Sequence, residues 1–156
     1  MVRFAEEKDL ERVNELRAQV NDVHVKGRPD IFKPGFCQEL KDVVYEMCND
    51  ENKNIIVAER DGVICGMVCV EYIIRPESPY NLERKFYHIV EVAVDEAFRR
   101  QGVASEIFEF IKKDAKERGF KRIELDVWGF NESAREFYES VGFRTFRRFM
   151  EFTCEE

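Results

Sequence analysis

The stretch Arg99-Arg100-Gln101-Gly102-Val103-Ala104 has the residue types of an anion-binding turn. It separates an apolar, strand-like run, His88 to Val94, from a strongly periodic helix that begins near Gly102. The first N–H groups of a helix have no intrahelical partner and carry the positive end of its dipole, so they attract phosphate. The small residues leave the backbone open to a pyrophosphate, and two arginines add positive charge. The alternative is that Gly102 only relieves a turn and that both arginines are solvated.

Two carboxylates on predicted strands could take part in proton transfer. Glu91 interrupts an almost wholly apolar run, Ile89 to Val94. A buried carboxylate is costly unless it is paired or performs chemistry, but an edge position that faces water would explain it equally well. Asp126 lies on a later strand, Arg122 to Trp128.

Hydrophobic periodicity and turn residues predict the elements that must position these side chains. Their order, β-α-α-β-β-β-α-β-α-β, indicates a mixed α/β fold with a mostly antiparallel first half and one crossover helix. The predicted elements are Val2–Ala5, Glu7–Val25, Phe36–Cys48, Ile55–Glu59, Val63–Ile74, Phe86–Val94, Gly102–Arg118, Arg122–Trp128, Ala134–Val141 and Arg144–Phe152.

Composition limits the class of protein. A chain of 156 residues with 44% hydrophobic residues predicts one domain, residues 1–156, with a sizeable core. The net charge of −7 argues against general nucleic-acid binding. Five cysteines without a C-x-x-C pair indicate reduced thiols, and two distant histidines make a metal site unexpected. No apolar stretch suits a membrane span or a signal peptide, so we expect a cytoplasmic protein.

Two blocks of residues together resemble the acetyl-CoA signature of the GNAT superfamily of N-acetyltransferases. The first is Val92-Ala93-Val94 followed by Arg99-x-x-Gly102-x-Ala104. The second is Leu125-Asp126-Val127-x-x-x-Asn131-x-x-Ala134-x-x-x-Tyr138-x-x-x-Gly142-Phe143. The resemblance implies a central, mostly antiparallel mixed sheet flanked by helices, with acetyl-CoA as cosubstrate and no metal. Ala104 stands where glycine is commoner, which the pattern allows.

The resemblance also assigns roles to residues. The backbone of Val92 to Val94 would pair with the pantetheine arm, and N–H groups from Arg100 to Ser105 would hold the pyrophosphate. Asn131 would hydrogen-bond the pantetheine, or cap the short helix, or both. Tyr138 would lie near the CoA sulfur, its alternative being core packing. The implied cofactor-binding set is Val92, Ala93, Val94, Arg99, Arg100, Gln101, Gly102, Val103, Ala104, Ser105, Asn131 and Ala134.

Acetyl transfer to an amine needs a neutral nucleophile. A lysine-like amine with a pKa of ~10.4 requires roughly 4.6 kcal/mol to lose its proton at pH 7. Glu91, Asp126 or bulk water could accept that proton, and the sequence does not choose among them. Tyr138 could assist the departing thiolate by hydrogen bonding. No cysteine occupies a motif position, so we expect direct attack through a ternary complex.

The acceptor amine and the partners are less defined. The resemblance places the acceptor pocket around His24 to Phe36, where Ile31 and Phe32 are either a lid on the core or pocket walls. A catalytically silent CoA-binding module is the alternative function. Neither G-x-x-x-x-G-K-[ST] nor G-x-G-x-x-G occurs, which argues against a nucleotide-phosphate enzyme. The C-terminal strand could join two copies into a homodimer, because edge strands can pair with another chain.

Overall fold

The computed structural model describes residues 1–155. The chain separates into two compact units, the first of which is Met1–Asp126 and the second of which begins at Val127. Two short 3₁₀ turns, Glu7–Asp9 and Glu96–Phe98, precede helices of the first unit. The remaining elements are β1 (Val2–Phe4), α1 (Leu10–Gly27), α2 (Gln38–Met47), β2 (Lys53–Arg60), β3 (Val63–Arg75), β4 (Arg84–Val94), α3 (Val103–Glu117), β5 (Ile123–Leu125) and α4 (Glu132–Ser140).

The five strands form one sheet in the order β1-β2-β3-β4-β5. All neighbouring pairs are antiparallel except β4 and β5, which run parallel after the crossover through α3. The turn between β2 and β3 has positive φ at both Asp61 (51°) and Gly62 (77°). Two left-handed residues match the twist of a two-residue hairpin, so the Asp-Gly prediction is confirmed.

Helices cover both faces of this sheet. On one face, apolar residues of α1 and α2, such as Leu16 and Val44, form a core with Val57, Met67 and Ala93 of the strands. The helix α3 lies on the other face. Its Asp114 side chain accepts a 2.9 Å hydrogen bond from the hydroxyl of Tyr87 on β4. The apolar stripe of α3, which includes Ile107, Phe108 and Ile111, is fully buried. The predicted mixed α/β architecture is confirmed.

The predicted final strand, Arg144–Phe152, is wrong for this structure. Within the described chain, no residue after Ser140 belongs to a helix or strand, and β5 is the last strand of the sheet. Phe149, Met150 and Phe152 are 82–93% exposed. Alternating aromatic residues give a segment strand propensity, but a strand also needs a partner backbone, which local sequence does not supply. The expected homodimer through this segment stays a prediction.

The helix and strand boundaries otherwise differ modestly from the predictions. The predicted strand Arg122–Trp128 is reduced to Ile123–Leu125, because only these residues pair with β4. Across residues 1–155, no helix combines the length and the apolar character that a bilayer crossing requires.

Candidate active site

Half of β4 has a partner strand on only one side. β4 pairs with β3 from Arg84 to Val94. On its other side, β4 pairs with β5 only at Tyr87, His88 and Ile89. From Glu91 to Val94, the second edge of β4 therefore has no strand partner among the described residues. The N–H and C=O groups along such an edge can bind an extended ligand as an added strand. This stretch contains Val92, Ala93 and Val94, which the sequence assigned to the pantetheine arm.

A tight turn connects this open edge to α3. Arg100 has φ of 62° and Gly102 has φ of 78°, so two left-handed residues lie within three positions. Such conformations turn successive N–H groups toward a common concavity that suits an anion. Gly102 is the N-cap of α3 and supplies no side-chain hydrogen bond to the helix. The N–H groups of Val103, Ala104 and Ser105, at the positive end of the helix dipole, therefore lack a side-chain cap.

Asp95 fixes the start of this turn. Its backbone N–H donates to the carbonyl of Cys65 at 2.9 Å, which continues the β3–β4 pairing by one residue. Its carboxylate accepts from the N–H of Ala97 at 3.0 Å and forms an ion pair with Arg12 of α1. These contacts, first the Ala97 hydrogen bond and then Arg12, lower the pKa of Asp95. The turn thus begins from a charged, anchored residue.

Gly66 sets the depth at which α3 packs. It pairs with Val94, the last residue of β4. A Cβ at this position would lie 2.8 Å from Cγ1 of Val103 and 2.9 Å from Cδ1 of Ile107. Only glycine lets the first turn of α3 approach the sheet so closely, which brings the helix N-terminus beside the end of the open edge.

Glu91 lies on β4 at the start of the open edge and is held from α1. Arg17 donates from Nε to Oε2 of Glu91 at 2.6 Å, and from Nη2 to Oε1 at 3.4 Å. The Arg17 side chain is 4% exposed, whereas that of Glu91 is 37% exposed. Arg17 also donates to Oδ1 of Asn14 at 2.9 Å and to the carbonyl of Leu40 at 2.5 Å. The arginine therefore connects α1, α2 and β4 through one buried guanidinium.

The thiol of Cys69 reaches the same carboxylate. It donates to Oε2 of Glu91 at 3.8 Å. Burial, followed by the charge of Glu91, raises the pKa of this thiol, so it stays protonated and acts only as a donor. Both oxygens of Glu91 thus have donors within the protein.

Asp126 lies at the end of β5, where the pairing of that strand with β4 stops. It directly follows Leu125, which pairs with Ile89, and it is exposed. The two carboxylates singled out from the sequence therefore flank the point at which β5 leaves β4. Glu91 is tied to an arginine there, and Asp126 is open to water.

Comparison with known proteins identifies the family of this site. The family model described as "Acetyltransferase (GNAT) family" matches residues 19–143. The chain belongs to the GNAT acetyltransferase family.

Relatives of this GNAT chain include human N-acetyltransferase 8, which is 26% identical over 108 residues. That match covers 69% of the chain but 46% of the relative, so the chain spans about half the length of this curated relative. The crystal structure of a mutant of the BH1408 protein from Bacillus halodurans is 31% identical, covers 99% of both chains and gives a TM-score of 0.95. Aminoglycoside N-acetyltransferase AAC(6')-Iy in complex with CoA is 18% identical, with a TM-score of 0.76 over 98% of this chain and 93% of that one. The last likeness concerns the fold alone.

The second compact unit, which begins at Val127, carries the part of the second signature block that includes Asn131 and Tyr138. Asn131 is the N-cap of α4, and its Oδ1 accepts a 3.3 Å hydrogen bond from the N–H of Ala134. The helix-capping role considered for Asn131 is therefore present in the structure. The amide nitrogen is the atom available for the other predicted role, a hydrogen bond to pantetheine.

Tyr138 lies on α4 in aromatic surroundings. Its ring centroid is 5.8 Å from that of Phe137 and 6.0 Å from that of Phe143. Burial raises the pKa of the Tyr138 phenol. The hydroxyl is therefore a weaker acid than an ordinary tyrosine and is suited to donating a hydrogen bond rather than to losing its proton.

The loop between α1 and α2 is attached to α1. Nδ2 of Asn21 donates to the carbonyl of Gly35 at 3.0 Å, and the ring of Phe32 stacks on His24 with centroids 4.9 Å apart. Phe32 is half-buried, whereas Ile31 is 49% exposed. Burial lowers the pKa of His24, which favours the neutral form of its ring. The loop thus presents a fixed, partly apolar wall.

Sequence reasoning missed three residues that shape this GNAT site: Arg12, Arg17 and Gly66. A signal for Arg17 was present, because it follows Leu10 by seven positions and Val13 by four and so interrupts the apolar stripe of α1. A lone charge in such a stripe predicts a buried partner of opposite charge. No comparable signal marks Gly66, since its role depends on the approach of a distant helix.

Proposed function

We propose that this GNAT protein transfers an acetyl group from acetyl-CoA to a primary amine by direct attack within a ternary complex. The observation that carries the proposal is the continuous line of main-chain donors from the open edge of β4, through the left-handed turn, to the uncapped start of α3. That line offers strand pairing to an amide-containing arm and then an anion-binding concavity to a diphosphate. Coenzyme A has both groups in this order.

The roles of the cofactor-binding residues follow from this alignment. Val92, Ala93 and Val94 pair with the pantetheine amides. N–H groups from Arg100 to Ser105 hold the pyrophosphate, and the Arg99 and Arg100 side chains add positive charge. When bound, acetyl-CoA supplies an acetyl thioester. Backbone N–H groups near the end of the paired arm polarise its carbonyl in the manner of an oxyanion hole.

Tyr138 supports the departing sulfur. A thiol has an ordinary pKa near 8.5 and a phenol ~10, so complete proton transfer to the thiolate is uphill by about 2 kcal/mol. The raised pKa of Tyr138 makes that transfer still less favourable. Hydrogen bonding from the phenol therefore stabilises the thiolate without the proton leaving the tyrosine.

Glu91, Asp126 and water are the candidate proton acceptors for the amine, and the contacts of Glu91 distinguish it from the other two. Its Oε2 accepts from Arg17 at 2.6 Å and from Cys69 at 3.8 Å. Nη2 of Arg17 also donates to Oε1 of Glu91 at 3.4 Å, so both carboxylate oxygens already accept from donors of the protein. Glu91 is thereby better suited to orienting a cationic acceptor than to taking its proton, which leaves Asp126 or water among the three.

The experiment that tests the function combines calorimetry with a thiol-release assay. We expect acetyl-CoA to bind with release of free CoA thiol on addition of at least one amine from n-butylamine, spermidine, an aminoglycoside and a peptide with a free α-amine. Calorimetry that detected no uptake of acetyl-CoA at millimolar levels would contradict the proposal.

The same experiment distinguishes acetyl transfer from the alternative function, a catalytically silent CoA-binding module. A silent acyl-CoA-binding module would bind acetyl-CoA but release no thiol with any amine. Asp126→Asn and Glu91→Gln are then compared across pH, and the base is the residue whose replacement changes the pH profile. Unchanged profiles for both variants would assign the proton to water or to another side chain.

A further inference from the structure

One face of α1 contacts the start of the turn between β4 and α3. Arg12 and Gln19 are seven positions apart on α1, so they lie on the same face of the helix. Arg12 forms an ion pair with the carboxylate of Asp95. Oε1 of Gln19 accepts from the N–H of Glu96 at 3.2 Å. The helix therefore holds two consecutive residues at the point where β4 ends and the turn begins.

The Arg12 guanidinium is itself held in place by several contacts. Its Nε donates to the carbonyl of Ile64 on β3 at 3.1 Å, and its Nη1 donates to Glu15 at 2.6 Å. Its Nη2 donates to Asp95. The backbone N–H of Asp95 donates to the carbonyl of Cys65, the next residue of β3, at 2.9 Å. Two neighbouring carbonyls of one strand thus hold Arg12 and Asp95 beside each other.

Hydrogen bonds lead from Asp95 to the middle of the anion-binding turn. Oδ1 of Asp95 accepts from the N–H of Ala97 at 3.0 Å, while Oδ2 is the oxygen that pairs with Arg12. The carbonyl of Ala97 accepts from Nε2 of Gln101 at 3.3 Å. Arg100, which directly precedes Gln101, has φ of 62°. A residue other than glycine keeps this left-handed conformation where surrounding contacts determine it, and these contacts lie on both sides of Arg100.

We propose that Arg12 is a positioning residue for the diphosphate of coenzyme A and that it acts through Asp95. This rests on the proposed function, in which N–H groups from Arg100 to Ser105 hold the diphosphate. The guanidinium of Arg12 orients the carboxylate of Asp95, and that carboxylate orients the N–H of Ala97. The residues that follow then present their N–H groups toward one concavity.

The charge of Arg12 has carboxylate partners within the protein. Glu15 and Asp95 both pair with its guanidinium, whereas the side chains of Arg99 and Arg100 are exposed beside the turn. Arg12 therefore contributes by fixing geometry, and the two exposed arginines supply the charge that attracts the phosphates. The two kinds of contribution differ in how they respond to the loss of the Asp95 charge.

The test compares Arg12→Met with Arg118→Met by calorimetry. Arg12→Met removes the donors to Asp95 and should raise the Kd for acetyl-CoA about fivefold or more, because the N–H groups of the turn lose their common direction. Arg118 is the matched control, since it forms a 2.9 Å ion pair with Asp114 near the other end of α3. The side chains are 29% and 13% exposed in the first pair and 36% and 11% in the second.

The control separates positioning from a general loss of stability. Arg118→Met should lower the free energy of unfolding but leave the Kd for acetyl-CoA unchanged. An unchanged Kd in folded Arg12→Met would overturn the proposal. The same rise in Kd for both variants would overturn it too, because it would assign the effect to stability.

A double-variant cycle tests whether Arg12 acts through Asp95. Asp95→Asn keeps an oxygen for the N–H of Ala97 but removes the charge that pairs with Arg12. We expect each single variant to raise the Kd, and Arg12→Met/Asp95→Asn to raise it no further than the larger single effect. Fold-changes that multiply in the double variant would overturn the proposal.

Asp95→Asn also gives an answer if Arg12→Met does not fold. If the guanidinium of Arg12 attracted the phosphates directly, the loss of the Asp95 charge would make that guanidinium more available and lower the Kd. Positioning predicts the opposite sign, a higher Kd. An unchanged or lower Kd for Asp95→Asn would therefore overturn the proposal.

Steady-state kinetics add a readout that lost stability alone does not produce. With the amine that the wild type acetylates fastest, Arg12→Met should raise KM for acetyl-CoA and leave kcat within about twofold, since the diphosphate lies away from the reacting thioester. A lower kcat with KM unchanged would overturn the proposal. If the wild type binds acetyl-CoA but acetylates no amine, acetyl transfer fails as the function, and calorimetry still decides the role of Arg12. Wild-type protein that binds no acetyl-CoA would contradict both.

Discussion

Gly66 and Val103 are so close that a β-carbon on the glycine would lie 2.8 Å from Cγ1 of the valine. Gly66 is also the β3 partner of Val94. Because Gly66 has no side chain, the first turn of α3 can lie this close to the end of β4. These are the two elements that the proposed cofactor must contact together.

Replacing Gly66 with alanine should weaken both packing and cofactor binding. The added methyl group must displace Val103 and Ile107, and overpacking of this kind costs about 1–3 kcal/mol. Because displacement of α3 misplaces its N–H groups, we expect the Kd for acetyl-CoA to rise about tenfold or more. Urea unfolding and calorimetry measure the two effects. The matched control is Gly129→Ala, since a Cβ there meets no atom within 4 Å; equal affinities in both variants would contradict the prediction.

Asn131 should show two separable roles. Asn131→Asp keeps an oxygen that accepts from the N–H of Ala134 and so keeps the cap of α4, but it removes the amide donor. Asn131→Ala removes both. We expect the aspartate variant to retain stability and lose about fivefold to tenfold in acetyl-CoA affinity, and the alanine variant to lose about 1 kcal/mol of stability in addition. Wild-type affinity of Asn131→Asp would restrict the residue to capping.

Removing the hydroxyl of Tyr138 should slow the chemical step. Tyr138→Phe keeps the ring contacts with Phe137 and Phe143 but loses the donor to the leaving sulfur. We expect kcat to fall ~10²-fold or more with acetyl-CoA affinity nearly unchanged. Steady-state kinetics and calorimetry check this. An unchanged kcat in a folded variant would remove Tyr138 from the mechanism.

Replacing only one partner of the ion pair between Arg17 and Glu91 should lower the free energy of unfolding. Arg17→Met removes the guanidinium that donates to Glu91, to the carbonyl of Leu40 and to the side chain of Asn14. We expect a loss of about 3 kcal/mol in urea unfolding, at the lower end for buried pairs because Glu91 is partly exposed. In the double variant Arg17→Met/Glu91→Met, the loss should be smaller than the sum of the single losses. Additive losses would show that the two residues are not coupled.

Acid should destabilise the protein through Asp9 and Asp95. A bidentate hydrogen bond from Arg3, at 2.7 and 3.1 Å, is the main cause that lowers the pKa of Asp9. A carboxyl with a lowered folded-state pKa stabilises the fold above its unfolded pKa of ~3.9 and loses that contribution as pH falls through the folded value. We therefore expect the free energy of unfolding to decrease below about pH 4. Asp9→Asn should lower stability at pH 7 by about 1–2 kcal/mol and flatten that decrease; an equally steep decrease would contradict this origin.

Local signals in the sequence sufficed for most elements. The Asp61-Gly62 turn, the periodic helix that became α3 and the glycine at its start each depend on residues that are neighbours along the chain. Strand pairing, in contrast, depends on residues that are far apart along the chain. Arg144 to Phe152 has the residue types of a strand, but whether it forms one depends on a partner backbone, and the described structure assigns it none.

Some features of the candidate site likewise follow from local sequence, and others depend on tertiary contacts. By itself the sequence determined the family signature, since an anion-binding turn is built from contiguous residues whose backbone conformations follow from glycine, small side chains and a helix start. Only the tertiary structure decided that Arg17 pairs with Glu91 and that β4 has a one-residue bulge, since Cys69 pairs with Glu91 but Val70 pairs with Ile89. Strand register and helix approach depend on contacts between residues far apart in the chain, and a one-residue insertion in a strand reverses which face each side chain occupies.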